Sequence, residues 1–262
     1  MVTPVKIVVI GSGNVATHMA AALDRVADVI QIYSPNHSHA ERLAKSLKDA
    51  TPVSTLDAID PTADYYIIAV KDDAIAGIAD NLPVTSDEAV WAHTSGSVPS
   101  NVFSGKCRNY GVFYPLQTFN RLTEVDFAKV PMLIEGNSTV TSQRLFTLAE
   151  KISGNVRFAD STDRKLFHLA AVFACNFTNR LWAISDEILR TRGFDLTLLE
   201  PLLRMTLDNA LKSSPADVQT GPARRHDSAV ISSHIEQLPD DYAEIYRLIS
   251  ENIANAYPNE QN

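Results

Sequence analysis

The feature that most constrains this chain is a junction near its start, where the apolar run Val5 to Ile10 meets Gly11-Ser-Gly13-Asn-Val-Ala16. An unbroken apolar run bounded by glycine is the pattern of a strand buried on both faces, so it predicts a parallel sheet. From Asn14 to Leu23, Val15, Met19 and Ala22 recur at helical spacing. Two glycines and an alanine so spaced between a strand and a helix have a mechanical reading. Gly11 allows a tight turn, Gly13 lets a pyrophosphate approach the backbone, and the helix start offers unpaired N–H groups at the positive end of its dipole. Gly11, Ser12, Gly13, Asn14 and Val15 are therefore expected to bind a dinucleotide.

Which dinucleotide depends on the end of the next strand, about Val29 to Tyr33, where a carboxylate would bond the ribose 2′-hydroxyl of NAD. Tyr33-Ser34-Pro-Asn36-His37-Ser38 carries none there. Ser34, Asn36, His37 and Ser38 gather donors at a helix start, which suits a 2′-phosphate, and Arg42 follows one turn later. NADP is expected over NAD. The missing acid also argues against S-adenosylmethionine. Ser38 and Glu41, three apart, have the spacing of a capping box opening that helix.

Strand and helix patterns then alternate. Strands are expected at Tyr66 to Val70, Ala89 to Ala92, Gly111 to Tyr114, Met132 to Ile134 and Val156 to Phe158, with helices at Asp73 to Asp80 and Ser142 to Ile152. Such alternation implies an α/β doubly wound parallel sheet. After about Asp160 the strands stop. Asp163 to Arg190 reads as one long helix with an apolar stripe of Leu166, Leu169, Phe173, Phe177, Leu181, Ile184 and Ile188. Leu196 to Leu211 and Asp241 to Ala256 add further helices around a polar segment, Ser213 to Ser228. Residues 1–160 are thus expected to form the dinucleotide-binding domain and 161–262 an all-α domain for substrate and dimerisation. So long an apolar helix in so small a domain points to a homodimer covering it.

Charge narrows the partners. Lys plus Arg number 23 against 31 Asp plus Glu, a net charge of −8. This balance repels a phosphate backbone, so nucleic acid is not an expected partner. No apolar stretch reaches the roughly 20 residues that cross a bilayer, and the start Met-Val-Thr-Pro lacks a secretory pattern. Cys107 and Cys175 alone form neither a disulfide framework nor a metal-ligand set. A cytoplasmic protein without a metal, acting on a small molecule, is the expectation.

Several stretches together carry a resemblance: the Gly11 loop, Ala69-Val-Lys-Asp-Asp-Ala-Ile75, His93-Thr-Ser-Gly96, Gly111-Val-Phe-Tyr-Pro-Leu-Gln-Thr-Phe119, Lys165-Leu-Phe-His168 with Asn176, and Gly221-Pro-Ala-Arg-Arg-His-Asp227. Over nearly its whole length the chain resembles the family that joins a Rossmann-like NADP oxidoreductase domain to domain of unknown function 2520. That family is similar to pyrroline-5-carboxylate reductases, deazaflavin-dependent NADP oxidoreductases and β-hydroxyacid dehydrogenases. The resemblance implies a Rossmann-like domain followed by helices like the C-terminal domain of 6-phosphogluconate dehydrogenase. It implies NADP chemistry but no particular substrate. In one place the chain departs: the family tends to have His before Pro-Leu-Gln-Thr-Phe, and here Tyr114 stands there.

Ligands of open α/β sheets bind beyond the carboxyl ends of strands. Val70 and Lys71 are expected there, against the nicotinamide half of the cofactor, with Thr94 and Ser95; Ser95 and Gly96 are expected to hold substrate. At about 100° per residue, Lys165, His168, Val172, Asn176 and Asn179 share the helix face opposite the apolar stripe, a face expected to line a cleft against the first domain. In the dehydrogenases that the chain resembles, such a face supplies a lysine general acid and an asparagine that orients substrate. Here Lys165 or His168 would give a proton to a carbonyl or imine carbon's partner atom as hydride arrives, Asn176 and Asn179 would hold the substrate, and imidazole is the group that titrates near neutrality. Arg225 is a candidate anion ligand. The leading expectation is an NADP-dependent reductase of a small anionic carbonyl or imine compound. A non-catalytic NADP(H)-binding sensor or scaffold is the alternative, since a Rossmann domain alone fixes no function.

Overall fold

The strand Lys6–Ile10, β1, is the hub of the sheet: it pairs in parallel with β2 (Asp28–Tyr33) on one side and β4 (Tyr65–Ile68) on the other. The computed structural model describes residues 4–258, so the first three residues of the start lie outside it. Eight strands are ordered β3-β2-β1-β4-β5-β6-β7-β8, with β3 at Thr51–Val53, β5 at Val90–His93, β6 at Asn109–Pro115, β7 at Met132–Gly136 and β8 at Val156–Phe158. Ile7 to Ile10 are fully buried, which explains the unbroken apolar run. Ile7 and Val9 cluster with Met19 and Leu23 of α1 (Asn14–Leu23), while Val8 and Ile10 cluster with Trp91 of β5 and Ile75 of α3 (Asp72–Ala79). Each such aliphatic side chain contributes on the order of 1.5–3 kcal/mol by leaving water.

The sheet is parallel with one exception, β6 against β7. A parallel pairing requires a crossover of a dozen or more residues that returns the chain to the starting edge, usually through a helix. Between Pro115 and Met132 the only regular element is a 3₁₀ turn, Phe127–Lys129, so the chain doubles back antiparallel. The helix α2 spans His37–Ala44 and corrects the capping box: Asn36, not Ser38, is the cap. Asn36 Oδ1 accepts from the Ser38 N–H and hydroxyl at 3.1 and 2.7 Å, and Glu41 pairs instead with Lys45 at 2.8 Å. Asn caps as well as Ser and comes two residues earlier, so it wins. After α4 (Thr139–Glu150) and β8, the helical part begins with α5, Ser161–Ala171.

A single regular helix over 163–190 is not what forms. α5 gives way to a π-helical segment, Val172–Phe177, and then to α6, Thr178–Arg190. The i→i+5 bonding of a π segment changes the rotation per residue, so the 100° step that aligned Lys165 and His168 with Asn176 and Asn179 does not carry through it. The chain forms two compact units, Met1–Cys175 and Asn176–Asn262. In the second, α6 is followed by α7 (Glu200–Lys212), α8 (Ser228–Ile235) and α9 (Asp240–Ala256). Arg180 bridges Glu187 at 2.9 Å and the Tyr242 hydroxyl at 3.3 Å, tying α6 to α9. Only Ile184, Ala223 and Ala243 are buried apolar side chains among the described residues of this unit, whereas Leu181, Trp182, Ile188, Leu202 and Met205 are exposed.

Candidate cofactor and active site

β1 and β4 end side by side at the point where the strand order reverses, and the crevice beyond their carboxyl ends is the ligand position of such sheets. A cavity of about 860 Å³ opens there, lined by the cradle from Gly11 to Val15, by Tyr33 and Ser34 at the end of β2, and by Val70 and Lys71 after β4. Gly11 has φ +127°, and a Cβ on it would stand 2.2 Å from the Ala69 carbonyl oxygen, so only glycine allows this approach of the two strand ends. A Cβ on Gly13 would meet nothing within 4 Å. That residue caps α1 without any side-chain hydrogen bond, which leaves the first N–H groups of the helix to a ligand.

The ribose side carries no carboxylate. Ser34, only 4% exposed, accepts a hydrogen bond from Ser12 at 3.0 Å, and exposed His37 begins α2. The donors there suit a phosphate, as an NADP site requires. Val70 and Lys71 share the cavity with the cradle and the end of β2, the adenosine side of such a crevice, whereas Thr94, Ser95 and Gly96 do not line it. Asn14 turns its amide to the Phe119 carbonyl at 3.1 Å.

The loop after β5 is held from within. Thr94 donates its N–H to the Ile68 carbonyl at 2.9 Å, and the Ser95 hydroxyl accepts from the N–H groups of Ser97 and Val98, both at 3.1 Å. Ser95 also donates its own N–H to His93 Nδ1 at 3.2 Å. His93 is fully buried, and burial together with the Arg164 guanidinium pushes its pKa down to about 4, so the ring is neutral at pH 7. The Ser97 hydroxyl bonds Asp72 at the start of α3.

Against this loop stands the residue at which the chain departs from its resemblance. Tyr114, near the end of β6, lies so close to Gly96 that a Cβ there would stand 2.7 Å from its ring. Its hydroxyl is 3.2 Å from Nδ1 of His168 on α5. Burial and the Asp72 carboxylate raise the phenol pKa, so the hydroxyl keeps its proton at neutral pH. Lys165, exposed and one turn earlier on α5, makes no hydrogen bond or ion pair among the described residues. Its neighbour Arg164 is fully buried: it bonds Glu135 on β7 and donates to the Val98 carbonyl at 3.0 Å. Glu135 also accepts from Ser100 at 2.6 Å and Ser161 at 3.2 Å. This network fixes the start of α5, and hence His168, relative to the loop.

Sequence reasoning named His168 as a candidate and gave no catalytic role to Tyr114, His93, Arg164 or Glu135. The strand-end rule could have flagged Tyr114, near the end of β6, but no spacing rule links it to His168, 54 residues later. Asn176, in the π segment, Asn179, in the first turn of α6, and Arg225, exposed before α8, belong to the second unit. Among the described residues, no cluster of His, Cys, Asp and Glu suits a metal ion, and no helix is long and apolar enough to cross a membrane.

A Rossmann-type sheet with an open glycine cradle, joined to a helical region, defines an NADP-dependent oxidoreductase. The chain belongs to the family in which such a domain precedes domain of unknown function 2520: residues 6–91 match the family described as "NADP oxidoreductase coenzyme F420-dependent", and 130–253 match domain of unknown function 2520. A protein of Bacteroides fragilis assigned to the NADP oxidoreductases shares 39% identity over 96% of this chain and 98% of its own, with a TM-score of 0.91. A reductive aminase from Aspergillus terreus, solved with NADPH and ethyl-5-oxohexanoate, covers 97% of this chain and 94% of its own at 15% identity and TM-score 0.74. The 1-pyrroline-5-carboxylate reductase of Streptococcus pyogenes covers 96% and 98% at 15% identity and TM-score 0.60. At 15% identity the likeness is one of fold. No curated protein matches the chain in sequence.

Proposed function

We propose that this oxidoreductase reduces a small anionic carbonyl or imine compound, with the Tyr114–His168 pair as its proton source. The observation that carries the reading is the 3.2 Å contact between a buried phenol and an imidazole at the carboxyl end of the sheet. NADPH, when bound, supplies the hydride; the cradle of Gly11, Ser12, Gly13, Asn14 and Val15 and the donors Ser34, Asn36 and His37 would hold it. The reduced oxygen or nitrogen needs one proton. A protonated His168 gives its Nδ1 proton to the Tyr114 oxygen as the phenol proton passes to substrate, so Tyr114 ends as a phenol and His168 ends neutral. Gly96 lets its backbone lie against the Tyr114 ring, where any side chain would clash. Lys165 supplies a cation beside the pair for a substrate carboxylate, and Asn176, Asn179 and Arg225 are further candidates for holding substrate.

A panel of keto acids and cyclic imines with NADPH tests the reading. One or more compounds should be reduced, and Tyr114→Phe and His168→Ala should each lower turnover by roughly 10²- to 10⁴-fold with NADPH affinity kept. NADPH binding without oxidation across the panel, or full turnover in both variants, would overturn it.

We also infer a homodimer through the helices. Leu166 and Leu169 on α5 are 63% and 56% exposed, and Leu202 and Met205 on α7 are 61% and 58% exposed. Large apolar side chains left exposed on each of these helices mark association sites. Sedimentation should give twice the mass of the 28.7 kDa chain, and a monomer at micromolar concentration would refute the inference.

A further inference from the structure

The segment after β6 is tied across the start of α1. Asn14 donates to the Phe119 carbonyl at 3.1 Å, His18 Nε2 lies 2.9 Å from the Asn120 carbonyl, and the His18 ring stacks on Phe119 with centroids 5.4 Å apart. These ties deliver Arg121, whose Nη2 donates to the carbonyl of Ser12, the residue between the two cradle glycines. Among the described residues no carboxylate pairs with this guanidinium. The first turn of α1 has no acidic residue either. A guanidinium carries five N–H donors in a rigid fork, so one bond to Ser12 leaves donors for another acceptor. In a chain of net charge −8, an unneutralised cation at a phosphate cradle has one evident use.

We propose that Arg121 is a ligand of the cofactor pyrophosphate, adding a charged fork to the backbone N–H groups of the Gly11–Gly13 turn. The proposal rests on the cradle holding NADP(H). Pyrophosphate is favoured over the 2′-phosphate because Arg121 is bonded inside the glycine turn, while the ribose side has its own donors in Ser34, Asn36 and His37. Since NADPH and NADH share the pyrophosphate, Arg121 serves both cofactors equally and sets affinity, not the choice between them.

Fluorescence titration of NADPH and NADH against the wild-type protein and Arg121→Ala tests this without any substrate. Both affinities should fall by the same factor, about 10- to 100-fold for a charge-assisted hydrogen bond. Arg121→Lys, which keeps the charge and loses the fork, should fall between, and the salt dependence of binding should flatten in Arg121→Ala. Melting without cofactor controls for loss of the Ser12 tie and should change little. Unchanged affinities in Arg121→Ala would overturn the proposal, as would a loss for NADPH alone, which assigns the guanidinium to the 2′-phosphate. Wild-type protein binding neither cofactor would overturn the cradle itself and the proposal with it.

Discussion

The hydroxyl of Tyr114 lies 3.2 Å from Nδ1 of His168, joining the end of β6 to the last turn of α5. Burial keeps the Tyr114 hydroxyl protonated, so with the neutral ring in its Nε2–H tautomer the phenol donates to Nδ1. Its bond then fixes the His168 proton on Nε2. Nitrogen-15 NMR at a pH where the ring is neutral should therefore find Nδ1 of His168 as a hydrogen-bonded acceptor in the wild type. In Tyr114→Phe that signature should disappear, with stability lowered by only about 0.5–1.5 kcal/mol. An unaltered Nδ1 signal in the variant would mean that the pair is not bonded in solution.

The two cradle glycines should respond in opposite ways to substitution. Gly11→Ala sets a Cβ against the Ala69 carbonyl and at a φ that L-residues avoid, so it should destabilise the sheet. Gly13→Asp has open space for its side chain and should melt close to the wild type, yet it places a carboxylate where the pyrophosphate binds. NADPH titration should accordingly show binding abolished in Gly13→Asp. Undiminished affinity there would dismiss the cradle as a phosphate site.

The fold was legible where a residue's environment is set by its neighbours in sequence. Ile7 to Ile10 announce a central strand because both faces of it are covered. β3 was not anticipated, since Thr51-Pro-Val53 is three residues at an edge with little burial to leave a pattern. The antiparallel turn into β7 depends on what the segment 116–131 lacks, and periodicity does not register a missing helix. α8 has only eight residues and begins at an Asp227 cap inside what reads as polar loop. The site divides in the same way. The glycine cradle is a local motif and was visible. Tyr114 with His168, and Arg164 with Glu135, are joined only by the way α5 meets β6 and β7 in the fold.

His93 should make the protein acid-sensitive. Its folded pKa of about 4 lies below the ordinary imidazole value of 6.5, so between those limits the unfolded chain binds more protons. Stability from this group is complete above about pH 6.5 and is lost as pH falls toward 4. At pH 5 the loss amounts to roughly 2 kcal/mol. Urea unfolding at pH 7 and pH 5 should show that difference in the wild type, and His93→Gln should reduce it. An identical pH slope in the variant would mean that the ring is not held neutral.

Arg164 and Glu135 should behave as one unit. The guanidinium is fully buried and bonds Glu135, Val98 and Ser161, while the carboxylate also holds Ser100. Removing one partner strands the other charge in a site built for a pair, at a cost of about 3–5 kcal/mol. Arg164→Met and Glu135→Gln should each cost on that order by urea unfolding, and the double variant should cost clearly less than their sum, with a coupling of roughly 0.5–3 kcal/mol. Additive losses would mean that the two side chains act separately. The same substitutions release the first turn of α5, whose cap is Asp160. They should therefore also weaken the Tyr114–His168 signature seen by NMR, a consequence that a purely local packing role for Arg164 would not produce.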